Sequence, residues 1–200
     1  MTQKSTIQAL LRKAKLLACA LPALATLWAT SATATDALHY YDGGEQRSIT
    51  WQADLLAEFS RGSDQRSVQA LVPGAVRVAG VGDSLVRIFR VTNTATRSLN
   101  PAPPAAGSWV YREGDSPSGR LMALPGGVLV KFKPEWSRQQ VDSWVASRSL
   151  AIERPLAIGV NWFLLASPAG DASLALANSI FESGEVLAAT PNWWKQTVAR

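Results

Sequence analysis

The sequence predicts an α+β fold: a β-α-β-β-α-β unit on an antiparallel sheet, with a degenerate copy of similar plan ahead of it. Three observations carry this. Apolar residues alternate along "VLVKFK" (Val128 to Lys133) and then recur at helical spacing in the segment that follows. Pro and Gly divide the chain after Gly126 into six short elements. The first half of the chain parallels the second, segment by segment. A β-α-β-β-α-β order is the signature of a ferredoxin-like split unit.

The elements follow in order. Val128, Val130 and Phe132 share one face of the opening strand, with Leu129, Lys131 and Lys133 on the other, and Pro134 ends it. Ser137 caps a helix in which Val141, Trp144 and Val145 form the inner stripe. "LAIER" (Leu150 to Arg154) is a short strand stopped by Pro155. "VNWFLLAS" (Val160 to Ser167) is a stronger strand, apolar on both faces. Pro168 and Gly170 turn the chain, and Asp171 is placed to cap a second helix. Leu174, Ala177 and Phe181 line that helix, and Gly184 supplies its left-handed stop. "EVLAAT" is the closing strand before Pro191. The predicted core is Val130, Phe132, Val141, Trp144, Leu174, Ala177 and Phe181.

In "VNWFLLAS", Val160, Trp162 and Leu164 oppose Asn161, Phe163 and Leu165. With both helices on one sheet face, one of these sets looks away from them and needs a cover.

The first half follows the same plan less completely. Tyr41 corresponds to Tyr111, "LLAEFS" (Leu55 to Ser60) to "VLVKFK", and "SDQRSVQAL" to "SRQQVDSWV". "DSLVRIFRV" (Asp83 to Val91) answers "VNWFLLAS". Where a second helix is due, Pro101, Pro103 and Pro104 forbid a normal one. "SWVYRE" is then the closing strand and leads into the second copy.

The chain opens with basic residues (Lys4, Arg12, Lys13, Lys15), an apolar run and the small-x-small site Ala32-Thr33-Ala34. That order is a secretory signal peptide, and the apolar run is shorter than a membrane span requires. The expected division is therefore 1–34 signal peptide, 35–112 incomplete N-terminal repeat, 113–125 hairpin or linker, 126–192 C-terminal domain and 193–200 tail. The chain has 20 Lys+Arg against 15 Asp+Glu; removing the leader's 4 basic residues leaves 16 against 15. A net charge of +1 gives no basic field suited to nucleic acid. The only cysteine, Cys19, leaves with the leader, so neither disulfides nor thiolate metal ligands are expected. The expected location is secreted, periplasmic or extracellular, with no membrane contact once the leader is gone.

Catalytic constellations are not visible. The single histidine, His39, lies close to the expected mature terminus. No Gly-x-Ser-x-Gly elbow, phosphate-cradling loop or metal-spaced His/Cys set occurs in the sequence. The expectation is a protein that is not an enzyme and takes no cofactor. The adjacent Trp193 and Trp194 are costly to leave in water. Either they fold back onto a core or they belong to an interface.

The stretch from Gly126 to Trp194 resembles the N-terminal propeptides of secreted bacterial subtilisin-like serine proteases. The residues that carry the likeness are Val130 to Lys133, Asn161 to Phe163, Leu174 to Val186, and Ala189 with Pro191-Asn192-Trp193. "HYYDGGEQRSITWQADLLAEFS" is also similar to the opening of the longer members. The resemblance implies an intramolecular chaperone and peptidase inhibitor without the catalytic domain, partnered in cis or in trans by a subtilisin-like protease. It implies docking through the sheet face away from the helices, assigned here to Asn161, Phe163 and Leu165. It also implies a product-like tail in the protease cleft: Trp193, Trp194, Lys195, Gln196, Thr197, Val198, Ala199 and Arg200. The alternative is a secreted structural or binding module with no protease partner, because one fold hosts many functions.

Overall fold

The computed structural model describes residues 38–59, 68–82, 85–91 and 107–197. The expected leader, the proline-rich segment around Pro101–Pro104 and Val198, Ala199 and Arg200 lie outside the described residues. The described residues belong to one compact unit within 35–200.

Its first half is a curled sheet. Strands β1 (His39–Asp42) and β2 (Glu45–Phe59) form a hairpin turned by Gly43 and Gly44, both at positive φ. A single helical turn α1 (Val68–Leu71) follows, then β3 (Val76–Gly82), β4 (Val86–Arg90), β5 (Gly107–Glu113) and β6 (Leu121–Ala123). The second half contributes β7 (Val128–Lys131), α2 (Arg138–Ser147), β8 (Ile152–Pro155), β9 (Trp162–Leu165), α3 (Asp171–Glu182), β10 (Ala188–Pro191) and β11 (Trp194–Lys195). The fold is α+β with antiparallel pairing throughout.

A four-stranded sheet has the order β10-β7-β9-β8, and the larger sheet the order β11-β6-β5-β2-β4-β3, with β1 also on β2. Both halves obey one rule: the closing strand lies beside the opening strand, then comes the third, then the second. In the first half these are β5, β2, β4 and β3; in the second, β10, β7, β9 and β8. The parallel continues at finer scale. Strand β5 pairs with β2 in two stretches separated by an irregularity between Gln52 and Leu56. Strands β10 and β11 pair in the same way with β7 and β6, on either side of Leu124–Gly127. What is one long strand in the first half is cut in two in the second. The cut needs glycine: Gly127 has φ +86, and a Cβ there would stand 2.8 Å from Leu164 Cδ1.

Helix α2 forms as the sequence predicts. Gln140 N–H donates to Ser137 Oγ at 3.3 Å and Ser137 N–H to Gln140 Oε1 at 2.7 Å, a capping box that contributes about 1 kcal/mol. Val141, Trp144 and Val145 are its buried face. With Val128, Val130, Phe132, Phe163, Leu165, Ala177, Ile180, Val186 and Ala189 they make one core. Helix α3 departs from expectation at both ends. Gly170, not Asp171, is its N-cap, because the Asp171 carboxylate accepts from the Tyr111 hydroxyl instead. Ile180 takes the inner position foreseen for Phe181, which is half-buried and stacks on Tyr41 with ring centroids 4.2 Å apart. Leu174 is buried, but in the core of the first half, beside Tyr40, Leu56, Phe89, Trp109 and Tyr111. Helix α3 therefore spans both cores.

Of the two readings of 113–125, the segment is the hairpin: it holds the β5–β6 turn and β6, and belongs to the larger sheet. The segment 193–200, expected as a tail, holds β11. In both, backbone ladder bonds supply the order that the polar sequence does not announce.

Candidate functional site

Alternation along β9 decides which set of side chains looks away from the helices. Phe163 and Leu165 point into the helix-side core and are buried, so they do not form the docking face assigned to them. Asn161 is not a contact residue either. It adopts φ +56, and its amide donates to Lys133 O at 2.8 Å and Trp136 O at 2.9 Å, fixing the entry into β9. The outward set is the other one. Lys131 pairs with Trp162 and Ala188, and Leu129 with Leu164 and Thr190, so these six residues share one face. All but Leu164 are partly exposed, and Lys131 Nζ lies 5.9 Å from the centroid of the Trp162 ring.

One margin of this face is walled by the first half of the chain. The β1–β2 turn borders a groove of about 370 Å³ against Lys131, Trp162, Leu187, Ala188 and Thr190. The hairpin is anchored by the Tyr41–Phe181 stack, by Tyr41 Oη to Glu182 at 3.1 Å and by Asn178 Nδ2 to His39 O at 2.9 Å. His39 Nε2 stands 3.8 Å from the same Glu182. No local pattern announces this wall, since its partners are separated by well over a hundred residues.

Residues 193–196 of the tail are packed into the fold. Trp193 packs edge-on against Tyr40 and Tyr111, with centroids at 5.2 and 5.8 Å. Its indole N–H is buried without a hydrogen-bond partner. Trp194 forms β11 on β6 and packs against the opposite face of the sheet, near Val110, Leu121 and Ala123. Of the two roles open to the tryptophans, the core holds both. Lys195 Nζ donates to Tyr40 Oη at 3.2 Å and to Glu113 Oε1 at 3.3 Å. Gln196 brackets Leu121: its N–H donates to Leu121 O at 2.8 Å, and its Oε1 accepts from Leu121 N–H at 3.4 Å. Among the described tail residues only Thr197 is exposed.

The charges around the tail are tuned by this packing. Burial alone would raise the Glu113 carboxyl, but the Arg120 and Lys195 cations outweigh it and hold it below its ordinary range. Burial alone would lower the Lys195 ammonium, but Tyr40 and Glu113 outweigh it and raise it. Burial, then the Asp171 carboxylate, push the Tyr111 phenol far above its usual value.

Among the described residues no group of three His, Cys, Asp or Glu side chains is placed to hold a metal ion. What the surface offers is contact: an indole, an ammonium, aliphatic side chains and a sheet margin. No family model, no curated protein and no solved structure matches this chain.

Proposed function

We propose that the chain is a secreted, non-catalytic, propeptide-like protein that assists the folding of a subtilisin-like serine protease, inhibits it, or both. In this reading each half is a ferredoxin-like unit, and the C-terminal one docks on surface helices of the protease through Leu129, Lys131, Trp162, Ala188 and Thr190. The observation that carries it is the strand order β10-β7-β9-β8 with α2 and α3 on one face, which leaves the other face partly exposed. A partner that binds only the native protease stabilises it by mass action, about 2.7 kcal/mol at a hundredfold excess over Kd. The test is binding to a panel of subtilisin-like proteases. Thr190→Arg and Trp162→Ala are expected to weaken binding at least tenfold, about 1.4 kcal/mol. Failure of every protease in the panel to bind the parent chain at micromolar concentration would sink the reading.

One observation favours a second reading. Strand β11 ties Lys195 and Gln196 into the sheet, whereas a product-like tail has to be free to enter a cleft. A secreted binding module without a protease partner needs no such tail, and it would pass through the same panel unbound.

A further inference from the structure

The turn joining β8 to β9 carries two strongly exposed aliphatic side chains close together in an uncharged stretch. From Pro155 to Trp162 the sequence reads "PLAIGVNW", with no charged side chain. Ile158 is 63% exposed and Val160 67%, and Ala157 and Gly159 between and beside them are exposed too. The turn is nevertheless well held. Leu156 N–H donates to Trp162 O at 2.9 Å and Phe132 N–H to Asn161 O at 3.0 Å, and the Asn161 amide pins the base from within. A Cβ on Gly159 would meet the Trp162 ring at 3.0 Å, so the turn lies directly on that indole.

Behind the tip stand two half-buried indoles, Trp136 and Trp162, and a set of cations. Lys131 lies by the Trp162 ring, Lys133 gives its carbonyl to Asn161, and Arg138 sits 5.2 Å from the Phe163 ring centroid. Arg154 pairs with Leu164 at the sheet margin. Glu135 and Glu153 are the carboxylates on these flanking segments, and Arg138 also pairs with Asp142 at 2.9 Å. Asp42 borders the groove beside Lys131 as a further carboxylate, while Lys131, Lys133 and Arg154 make no ion pair among the described residues.

We infer that the β8–β9 turn is a membrane-docking tip. Ile158 and Val160 enter the acyl boundary of an anionic lipid surface, Trp136 and Trp162 sit at headgroup level, and Lys131, Lys133 and Arg154 meet the headgroup charge. Each layer follows from general physics. Projecting aliphatic side chains gain by leaving water. Indoles, apolar with one polar N–H, favour the interface. Basic side chains close to an anionic leaflet are attracted within a Debye length. The tip projects and is uncharged, which suits a deformable lipid surface, and its charge lies behind it in the layer where headgroups would be. Among the described residues no helix is long and apolar enough to cross a membrane, and surface docking requires none. The inference departs from the sequence expectation of no membrane contact, which rested on the short apolar run of the leader and its removal, and it does not depend on a protease partner.

The test uses residues 35–200, which contain every core residue described and no cysteine. Flotation with phosphatidylcholine vesicles, with and without phosphatidylglycerol, is expected to show binding to the anionic vesicles that falls with added salt. An environment-sensitive fluorophore on Val160→Cys is expected to shift to the blue on those vesicles, while one on Leu187→Cys stays unchanged. Ile158→Ser with Val160→Ser is expected to lower the vesicle affinity at least tenfold at an unchanged Tm. The inference is overturned if the parent does not bind anionic vesicles. It is equally overturned if the probe at 160 does not shift, if the double variant binds vesicles as well as the parent, or if only a soluble protein occupies the tip. The probe reads the folded parent fold, so the answer stands even where the double variant is unstable.

Discussion

Trp193→Ala separates a tryptophan that belongs to the fold from one that only decorates a tail. Full truncation of a buried Trp costs about 3–5 kcal/mol. Trp193 is half-buried, so roughly half of that applies, and its edge contacts with Tyr40 and Tyr111 add about 0.5–1.5 kcal/mol each. Against this, the substitution removes an indole N–H that is buried without a partner, which returns about 1 kcal/mol. The net expectation is a loss of about 3 kcal/mol, within a range of about 1.5–4.5. Urea unfolding of residues 35–200 reads it directly: with a slope of about 2 kcal/mol per molar, the midpoint falls by about 1.5 M. Trp193→Phe keeps a ring between the tyrosines and drops the N–H, so it is expected to stay within about 1 kcal/mol of the parent. A loss below about 0.5 kcal/mol for Trp193→Ala would refute the reasoning, because a side chain that anchors β11 cannot be removed so cheaply.

Two further substitutions probe the frame around the candidate face. Asn161→Ala loses two hydrogen bonds and places a residue with little αL tolerance at φ +56, for an expected cost of about 2–3 kcal/mol in thermal unfolding. Asn161→Gly restores the backbone freedom and is expected to recover about 1 kcal/mol of it. Glu113 governs the acid limb of stability. Its folded carboxyl titrates below the ordinary 4.5, so the unfolded chain binds more protons in that range. The contribution is full above pH 4.5 and is lost as pH falls toward the lower folded value; Glu113→Gln is expected to flatten that limb. Lys195 is raised above 10.5, so its share is full below that pH and is lost as pH climbs past it. Both groups are about a third exposed, which keeps each effect under about 1 kcal/mol.

Local chemistry made much of the second half legible. The capping box at Ser137, the stripe Val141–Trp144–Val145 and the stop at Gly184 are written in residues three or four apart, and the helices form where those residues stand. Tyr41 and Tyr111, or "LLAEFS" and "VLVKFK", follow in the same order in the sequence, and the strand orders β5-β2-β4-β3 and β10-β7-β9-β8 run alike. What sequence did not reveal is long-range choice. Apolar residues on both faces of β9 leave the inward set undecided, and the helix-side core took Phe163 and Leu165 over Trp162. Asp171 is a sound cap by type, yet a buried tyrosine hydroxyl from β5 had the stronger claim on it. The polar tail carries no periodic signal, and its place is set by backbone bonds to Leu121 and Met122. Of the face residues assigned to a partner, none of Asn161, Phe163 and Leu165 is on offer, whereas Val160 and Trp162, in opposite phase, are.

Strand β5 closes the first half against β2 and pairs with β6 on its other margin, and β6 in turn carries β11 from the second half. The larger sheet is not complete without it. No cut through Gly107–Glu113 yields two whole pieces, and a cut after Glu113 leaves β6 without its neighbour. Melting one half exposes an edge of the other, so heat and denaturant should see one cooperative transition instead of two. During synthesis the first half waits for residues 107–113 before β2 has both neighbours, and the larger sheet then waits for β11 from the far end of the chain. Halves tied by β11 and by Leu174 in this way are not independent, and mutations in one half should be felt as lost stability in the other.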